Sequence, residues 1–301
     1  MNAKKTKKIV VLATGGTIAG LASDASKPQN YTAGQVGVAD LLQGVADDDV
    51  ELLTEQVAQI DSKHMSFKVW QSLLARVVHW LAQDEVQGVV ITHGTDTLEE
   101  TAYFLQTVLQ PAKPVAMTCA MLPANASDSD GPGNLKDALA WVQQTTASGV
   151  SVVCAGQVHA GRAVQKSHSH LRNPFTSQAG VTHPLALRVP SVAQVLACTH
   201  WPRVELVLNH AAADGRLVRA LMAQDAPQGW VVAGTGNGTL HHDLEAALLD
   251  AQKQGAQVLR ASRCAQGGVQ SRDADVLPHA GGLTAVQARV ALLMHLLAHQ
   301  A

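Results

Sequence analysis

The fold of this chain is indicated first by the stretch Ile9-Val10-Val11-Leu12-Ala13-Thr14-Gly15-Gly16-Thr17-Ile18-Ala19-Gly20. A short apolar run of this kind is typical of a buried strand in a parallel sheet, and the glycines after it predict a tight turn. The turn would place the hydroxyl of Thr17 at the carboxyl end of the strand, where open α/β sheets bind their ligands. The stretch therefore predicts an α/β protein with a polar site after its first strand.

A second stretch, Val89-Val90-Ile91-Thr92-His93-Gly94-Thr95-Asp96-Thr97, repeats this design. An apolar strand is again followed by Gly and Thr, now with a carboxylate beside the threonine. A threonine hydroxyl becomes a good nucleophile only when another group takes its proton, so this pattern is typical of a nucleophile with activating partners. The residues by themselves also allow a structural interpretation, in which Thr97 and Glu100 form a capping box that begins a helix.

Strand and helix patterns alternate along most of the chain, which predicts βα units and parallel sheets. The pattern weakens among the prolines between about 182 and 203, which indicates a linker. We therefore expect two α/β domains: a larger, flavodoxin-like parallel-sheet domain at 1–182 and a smaller α/β domain at 204–301, joined by a linker at 183–203. Strands are predicted at 9–13, 88–92, 115–121, 150–155, 204–209, 230–234 and 257–261, and helices at 67–83, 97–109, 134–148, 240–254 and 284–299.

Composition excludes several classes of protein. A formal net charge of −2 offers no basic surface for nucleic acid or for an anionic membrane, and the basic cluster Lys4, Lys5, Lys7 and Lys8 is typical of a solvated tail. No apolar stretch approaches the roughly 18 residues that span a bilayer. Four scattered cysteines favour a reducing cytoplasm, with a periplasmic location open if a leader has been removed. The fourteen histidines show no metal-binding spacing, so we expect neither metal nor cofactor.

Taken together, the stretches at 14–20 and 93–102 resemble the bacterial L-asparaginases of the asparaginase/glutaminase family, type II-like, and the resemblance extends over nearly the whole chain. It implies hydrolysis of L-asparagine to L-aspartate and ammonia through a threonine-linked acyl-enzyme. It also implies the catalytic residues: Thr17 would attack the amide, Tyr31 would approach Thr17 from a mobile loop, and Thr95, Asp96 and Lys166 would form a second group that organises proton transfer and favours anionic oxygen.

The same resemblance nominates the residues that bind the substrate, with two departures. Lys63 stands where the family usually has Gln or Glu, and Asp275 stands where it usually has Glu. Asn237 and Asp275 resemble residues that complete the site of a neighbouring subunit, which implies a homotetramer. The implied substrate-binding residues are Gly16, Ser62, Lys63, Gly94, Thr95, Asp96, Ala120, Asn237 and Asp275.

Other functions stay open from the residues. A glutaminase-asparaginase with comparable glutamine activity would carry the same motifs, as would the amidase subunit of a transfer-RNA amidotransferase, although that subunit usually has an extra N-terminal domain. A nucleotide-binding enzyme is disfavoured, because the first turn fits neither G-x-G-x-x-G nor a P-loop. A non-catalytic relative is disfavoured because every residue expected to do chemistry is present.

Overall fold

The computed structural model describes residues 7–45, 50–178 and 187–300. Lys4 and Lys5 of the basic cluster, and residues 183–186 of the predicted linker, lie outside the described residues. The chain divides into two compact units, Met1–Ser177 and Gln178–Ala301. Because the predicted domain boundary at 182–183 also lies outside the described residues, that boundary stays a prediction.

The first unit contains a mixed sheet with helices around it. Its strands are β1 Lys8–Gly15, β2 Leu21–Ala22, β3 Tyr31–Thr32, β4 Glu51–Ile60, β5 Val86–Thr92, β6 Pro114–Thr118, β7 Gly149–Cys154, β8 Gln157–Ala160, β9 Val164–Lys166 and β10 Phe175–Ser177. Its helices are α1 Val38–Leu41, α2 Phe67–Leu81, α3 Leu98–Leu109 and α4 Gly131–Gln144, with 3₁₀ turns at Thr17–Ala19 and Ser62–His64.

The described strands of the main sheet lie in the order β4-β1-β5-β6-β7-β8, and all neighbours are parallel except β7 and β8. The middle of this sheet is completely buried, with Val10 and Val90 at 0% exposure, as expected for strands covered on both faces. On α2, the stripe that includes Trp70 and Leu74 is buried, and Trp70 stacks on Phe104 of α3 with 4.7 Å between ring centroids. The core thus holds the strands that lead into the two sequence motifs.

Strand register determines which residues meet at the carboxyl edge of the sheet. Ala13 of β1 pairs with Thr92 of β5, and Thr92 pairs with Thr118 of β6. The segments that follow these strands must therefore emerge side by side, which brings Gly16-Thr17 and Gly94-Thr95 to one edge. This is the edge at which α/β sheets carry their ligands.

The second unit is a smaller α/β structure. Its described strands β11 Val204–Leu208, β12 Gly229–Gly234 and β13 Gln257–Ser262 are parallel and lie in chain order. Its core is built around buried Trp230 and Leu248. The predicted fold class, two α/β units with the larger one first, is confirmed. The helices of this unit are α5 Val192–Ala197, α6 Arg216–Gln224, α7 His242–Lys253 and α8 Ala285–Leu297.

Some elements differ from the sequence prediction. The ten-residue strand β4 was not predicted because it lies at the sheet edge, with no residue fully buried, and so lacks an apolar run. Helix α5 lies within the predicted linker and begins at a capping box of Ser191 and Gln194. Helix α4 begins at Gly131 and not at 134, because a proline in the first turn of a helix costs no hydrogen bond. Helix α6 was also missed. No described helix is both long and apolar enough to cross a membrane.

Candidate active site

Two glycine turns touch at the edge of the main sheet. Gly16 has φ +84°, and a Cβ atom placed on it would lie 2.4 Å from Cα of Gly94. A Cβ atom on the preceding Gly15, at φ +101°, would lie 2.3 Å from the carbonyl oxygen of Ile60. Only glycine allows such close backbone approach and such dihedral angles. Because Gly16 precedes Thr17 and Gly94 precedes Thr95, this contact brings the two threonines to neighbouring positions.

The hydroxyl of Thr17 is hydrogen-bonded to a tyrosine. Thr17 lies in the first 3₁₀ turn and is 7% exposed, and its Oγ1 is 2.7 Å from Oη of Tyr31. Tyr31 reaches this position because β3 pairs with β2, with Ala22 opposite Tyr31, so the chain turns back over the site. A threonine hydroxyl bonded to a second ionisable hydroxyl has a path along which its proton can leave.

A second group surrounds the ammonium of Lys166. Its Nζ donates to Oγ1 of Thr95 at 2.8 Å and to Oδ1 of Asp96 at 2.7 Å. Thr95 is buried, whereas the side chain of Asp96 is 53% exposed and so available to a ligand. Lys166 is the last residue of β9, which pairs with β10. The three residues named for the second group by resemblance are therefore in direct contact.

Ser62 fastens the loop that carries Asp96. Its buried Oγ accepts the backbone N–H of Asp96 at 3.2 Å, and its carbonyl oxygen accepts the hydroxyl of Thr97 at 2.9 Å. The predicted capping box at Thr97 is therefore wrong. Thr97 occupies the cap position of α3 but makes no side-chain cap bond, and its hydroxyl donates instead to the carbonyl oxygen of Ser62.

The side chain of Lys63 forms an ion pair within its own loop. Its Nζ lies 2.8 Å from Oδ2 of Asp61, and the side chain is 60% exposed. The hydrogen bond that Lys63 donates to Asp61 raises the pKa of Lys63, and the charges of nearby Tyr31 and Asp96 act in the same direction. A positive charge thus stands beside both threonine groups, but its nearest hydrogen-bond partner is Asp61.

Ala120 lies under the first turn, buried against Ile18. The backbone after it is held by Asp130, whose carboxylate accepts the N–H groups of Met121 and Leu122, both at 2.9 Å. Asp130 stands directly before α4, at its cap position. Its role as an anchor for the segment that contains Ala120 was missed, because the bonded residues lie in a different element.

The roles of two ionisable groups in this region, buried His93 and partly buried Glu99, were also missed. Burial raises the pKa of Glu99 to about 7, and burial lowers the pKa of His93 to about 4. His93 shares a 2.7 Å hydrogen bond between Nδ1 and the carbonyl oxygen of Gly94. Glu99 accepts the backbone N–H of Lys166. The sequence carries no signal for them, because His93 and Glu99 stand among other polar residues in this strand-to-helix junction.

In the second unit, the two nominated side chains have partners of their own. Asn237 exchanges two hydrogen bonds with the backbone of Gln270, at 2.9 and 2.7 Å. The carboxylate of Asp275, 11% exposed, lies 2.7 Å from Nη2 of Arg260, which is 3% exposed. The hydrogen bond with Arg260 lowers the pKa of Asp275. Arg260 was not anticipated, since it lies within an apolar strand.

In the described part of the chain, the one group of three side chains with metal-ligand spacing is His241, His242 and Asp243. These residues begin α7, and Nδ1 of His241 already accepts the backbone N–H of Asp243 as a helix cap. The three residues are adjacent in sequence and mostly exposed, so we interpret them as the capped start of a helix and not as a metal site. The expectation that the protein uses no metal stays a prediction.

Comparison with known proteins agrees with this geometry. Residues 8–191 match the family model "Asparaginase, N-terminal", and residues 203–301 match "Glutaminase/Asparaginase C-terminal domain". The chain is 37% identical to L-asparaginase 2 of Escherichia coli strain K12 over 287 residues, which are 89% of this chain and 81% of that protein. It is 34% identical to the glutaminase-asparaginase of Pseudomonas fluorescens biotype A, over 90% of this chain and 79% of that protein.

A solved structure is similar as well. The crystal structure of a probable cytoplasmic L-asparaginase from Campylobacter jejuni superimposes with a TM-score of 0.85 at 31% identity, over 97% of this chain and 95% of that one. The sequence resemblance to this family is therefore confirmed.

Proposed function

This chain belongs to the asparaginase family, and from that premise we propose that it hydrolyses L-asparagine to L-aspartate and ammonia. Amidohydrolase activity follows from the family. The observation that carries the finer proposal is the contact between Gly16 and Gly94, which places the Thr17–Tyr31 pair next to the Thr95–Lys166–Asp96 group.

The proposed reaction has two acyl-transfer steps. Oγ1 of Thr17 attacks the side-chain amide carbon of asparagine while its proton passes towards Oη of Tyr31, 2.7 Å away. The proton taken from Thr17 is passed from Tyr31 to the amide nitrogen, the C–N bond breaks and ammonia leaves, with the β-acyl group held as an ester on Thr17. Water then attacks the ester carbon, the C–O bond to Thr17 breaks to give aspartate, and a proton of the water returns to Oγ1 of Thr17. The assignment of Thr17 as first nucleophile follows the family resemblance.

The Thr95–Lys166–Asp96 group supplies charge to these steps. The ammonium of Lys166, shared between Thr95 and Asp96, favours negative charge that develops on nearby oxygen. Such a group also orients the attacking water through the hydroxyl of Thr95. All of these parts are side chains of the protein, so the proposed reaction needs no cofactor.

We assign the amino-acid head of the substrate to the loops around the two turns. The exposed carboxylate of Asp96 would hold the substrate ammonium, and Ser62 would meet the α-carboxylate. Backbone groups of Gly16, Gly94 and Ala120 would line the amide end. Lys63 would add positive charge near the α-carboxylate, although its bond to Asp61 weakens a direct contact.

Asparagine should be preferred to glutamine. Glutamine is longer by one methylene, which a rigid pocket distinguishes by roughly 10- to 200-fold. Comparable activity on both amides is the second candidate function, and the similarity to a glutaminase-asparaginase favours it. Lys63 and Asp275 depart from the family pattern, and their effect on the amino-acid head should raise KM for both substrates.

We also propose a cytoplasmic homotetramer in which Asn237 and Asp275 serve a neighbouring subunit. A cytoplasmic location is supported by the scattered cysteines and by the cytoplasmic assignment of the similar Campylobacter jejuni protein. Because Asp275 is paired with Arg260, its contribution to a neighbouring site would be made together with that guanidinium.

The decisive experiment measures ammonia released from asparagine and from glutamine by the wild type and by Thr17→Ala. The variant should lose several orders of magnitude in kcat, as expected for a lost nucleophile. Thr107→Ala is a matched control, because this threonine of α3 is buried to a similar extent outside the site. Absence of ammonia from the wild type would refute the proposal, and faster turnover of glutamine than of asparagine would refute the preference.

A further inference from the structure

Glu99 makes a contact that the proposed reaction does not use. It lies in the first turn of α3 and is partly buried, and its Oε2 accepts the backbone N–H of Lys166 at 3.0 Å. The two residues are 67 positions apart in the chain. The bond therefore joins two elements that meet only through the fold.

Both ends of this bond lead to the same catalytic group. Helix α3 begins at Leu98, two residues after Asp96, and β9 ends at Lys166. Lys166 must reach both Thr95 and Asp96 with one ammonium, at 2.8 and 2.7 Å. The position of its main chain relative to α3 decides whether both contacts form together.

The main chain of Lys166 lies at the end of a short strand. The strand has three residues and pairs with β10 over three residue pairs, so its own ladder is short. A side-chain bond from Glu99 to the main chain of Lys166 adds a fixed point that comes from α3 itself.

The strength of this bond depends on charge. Burial raises the pKa of Glu99 to about 7, and Glu100 on the same helix adds to the rise, whereas the N–H bond and the charge of Lys166 oppose it. An ionised carboxylate is a stronger acceptor than a neutral carboxyl. The bond to Lys166 is therefore stronger above this pH than below it.

We propose that Glu99 is a positioning residue of the Thr95–Lys166–Asp96 group, because its carboxylate holds β9 against α3 and so keeps the Lys166 ammonium on both partners. This inference rests on the proposed role of that group in asparagine hydrolysis. Glu99 acts through Lys166 and touches no reacting atom.

The test compares Glu99→Ala, which removes the acceptor, with Glu99→Gln, which keeps a neutral acceptor. Above about pH 8, Glu99→Ala should lower kcat for asparagine roughly 10- to 100-fold, since a misplacement of about 1 Å costs up to 10²-fold. Glu99→Gln should lower kcat only about fivefold, because a neutral hydrogen bond has roughly half the strength of a charged one.

The pH profile separates positioning from a general structural role. Wild-type kcat should step down as pH falls through about 7, where Glu99 takes up its proton, and Glu99→Gln should lack this step. Glu100→Gln is the matched control on the same helical turn. It should leave the upper plateau unchanged and move the step to lower pH, because removal of the Glu100 charge lowers the pKa of Glu99.

A second measurement does not depend on activity. Hydrogen exchange of peptides covering residues 164–167 should be faster in Glu99→Ala than in the wild type, with Glu99→Gln in between. Wild-type protein without asparaginase activity would refute the proposed function, while the exchange data would still test the bond. Active wild type with unchanged kcat, unchanged pH step and unchanged exchange in both Glu99 variants would overturn the inference. If Glu99→Ala does not fold, the inference is tested with Glu99→Gln alone. Loss of the pH step and faster hydrogen exchange would support it, and an unchanged step with unchanged exchange would overturn it.

Discussion

The Thr17 hydroxyl lies in a 3₁₀ turn at the sheet edge and is largely shielded from solvent. Its bond to Tyr31 Oη is the contact that links the first turn to strand β3. A shielded hydroxyl with one ionisable partner depends on that partner for proton transfer. The chemistry of Thr17 should therefore be sensitive to a single oxygen atom on Tyr31.

Tyr31→Phe tests this dependence. The ring would still pack beside Gly20, but the proton path from Thr17 would be lost. We expect kcat for asparagine to fall about 10²- to 10⁴-fold with little change in melting temperature, as is usual for loss of a general acid–base group. Steady-state kinetics and thermal melts measure both. A variant that keeps more than about a tenth of the wild-type kcat would contradict the role of Tyr31.

Burial of His93 predicts how the stability of the folded protein changes with pH. Burial lowers its pKa to about 4 in the folded protein, below its ordinary value of 6.5. The unfolded chain therefore binds the proton first as pH falls, so stability is lost progressively from about pH 6.5 down to about pH 4. Between about pH 7 and about pH 5 this one group should cost roughly 2 kcal/mol of unfolding free energy.

Urea denaturation at both pH values, on wild type and on His93→Gln, measures this effect. The glutamine side chain can still bond the carbonyl of Gly94 but does not titrate. The loss of stability on acidification should shrink by about 2 kcal/mol in the variant. An identical loss in both proteins would show that His93 does not titrate as described.

Turns and helices of the first unit are built so that three loops meet at one sheet edge. The turn after β1 contacts the loop after β5 at Gly16 and Gly94, and the 3₁₀ turn that begins at Ser62 holds the start of α3. Helix α3 is then joined to β9 by the hydrogen bond that Glu99 accepts from the backbone of Lys166. Each element is thus fixed by contacts with another, and the assembly of the site depends on close backbone approach between the turns.

Gly16→Ala tests whether the first turn needs this close backbone approach. The added Cβ atom would lie 2.4 Å from Gly94, and φ +84° is unfavourable for alanine. We expect a loss of at least about 2 kcal/mol of unfolding free energy together with loss of activity. Gly133→Ala is the control, because a Cβ atom there meets no described atom within 4 Å and alanine is favoured in a helix. Equal melting temperatures for Gly16→Ala and wild type would contradict the close packing of the turns.

At the scale of the whole molecule, association is the untested property. The resemblance assigns Asn237 and Asp275 to a neighbouring subunit, so we expect particles of about four times 31.6 kDa by light scattering. Activity should fall on dilution in parallel with dissociation, because a shared site is lost when subunits separate. A monomer of 31.6 kDa with full specific activity would contradict the assembly.

Much of this protein was predictable from local sequence. Buried strands at 9–13 and 88–92, the glycine turns after them and the polar residues in those turns are set by neighbours a few positions apart. Hydrophobic periodicity and backbone freedom of glycine act at that range, so the sequence determined the α/β class and placed Thr17, Thr95 and Asp96 at strand ends. Comparison with the family named Tyr31 and Lys166, which local patterns do not single out.

Only the tertiary structure decided which partner each side chain takes. The Thr97 hydroxyl bonds Ser62 and not its own helix, Lys63 turns to Asp61, and Glu99 anchors Lys166. Edge strand β4 was missed because polar residues interrupt its apolar ones, and helix α5 was missed because its six residues are too few to show a helical period. A hydrogen bond or ion pair is decided by which donors and acceptors the packed fold brings within about 3 Å, and the bonds to Ser62 and Lys166 join residues 35 and 67 positions apart in the chain.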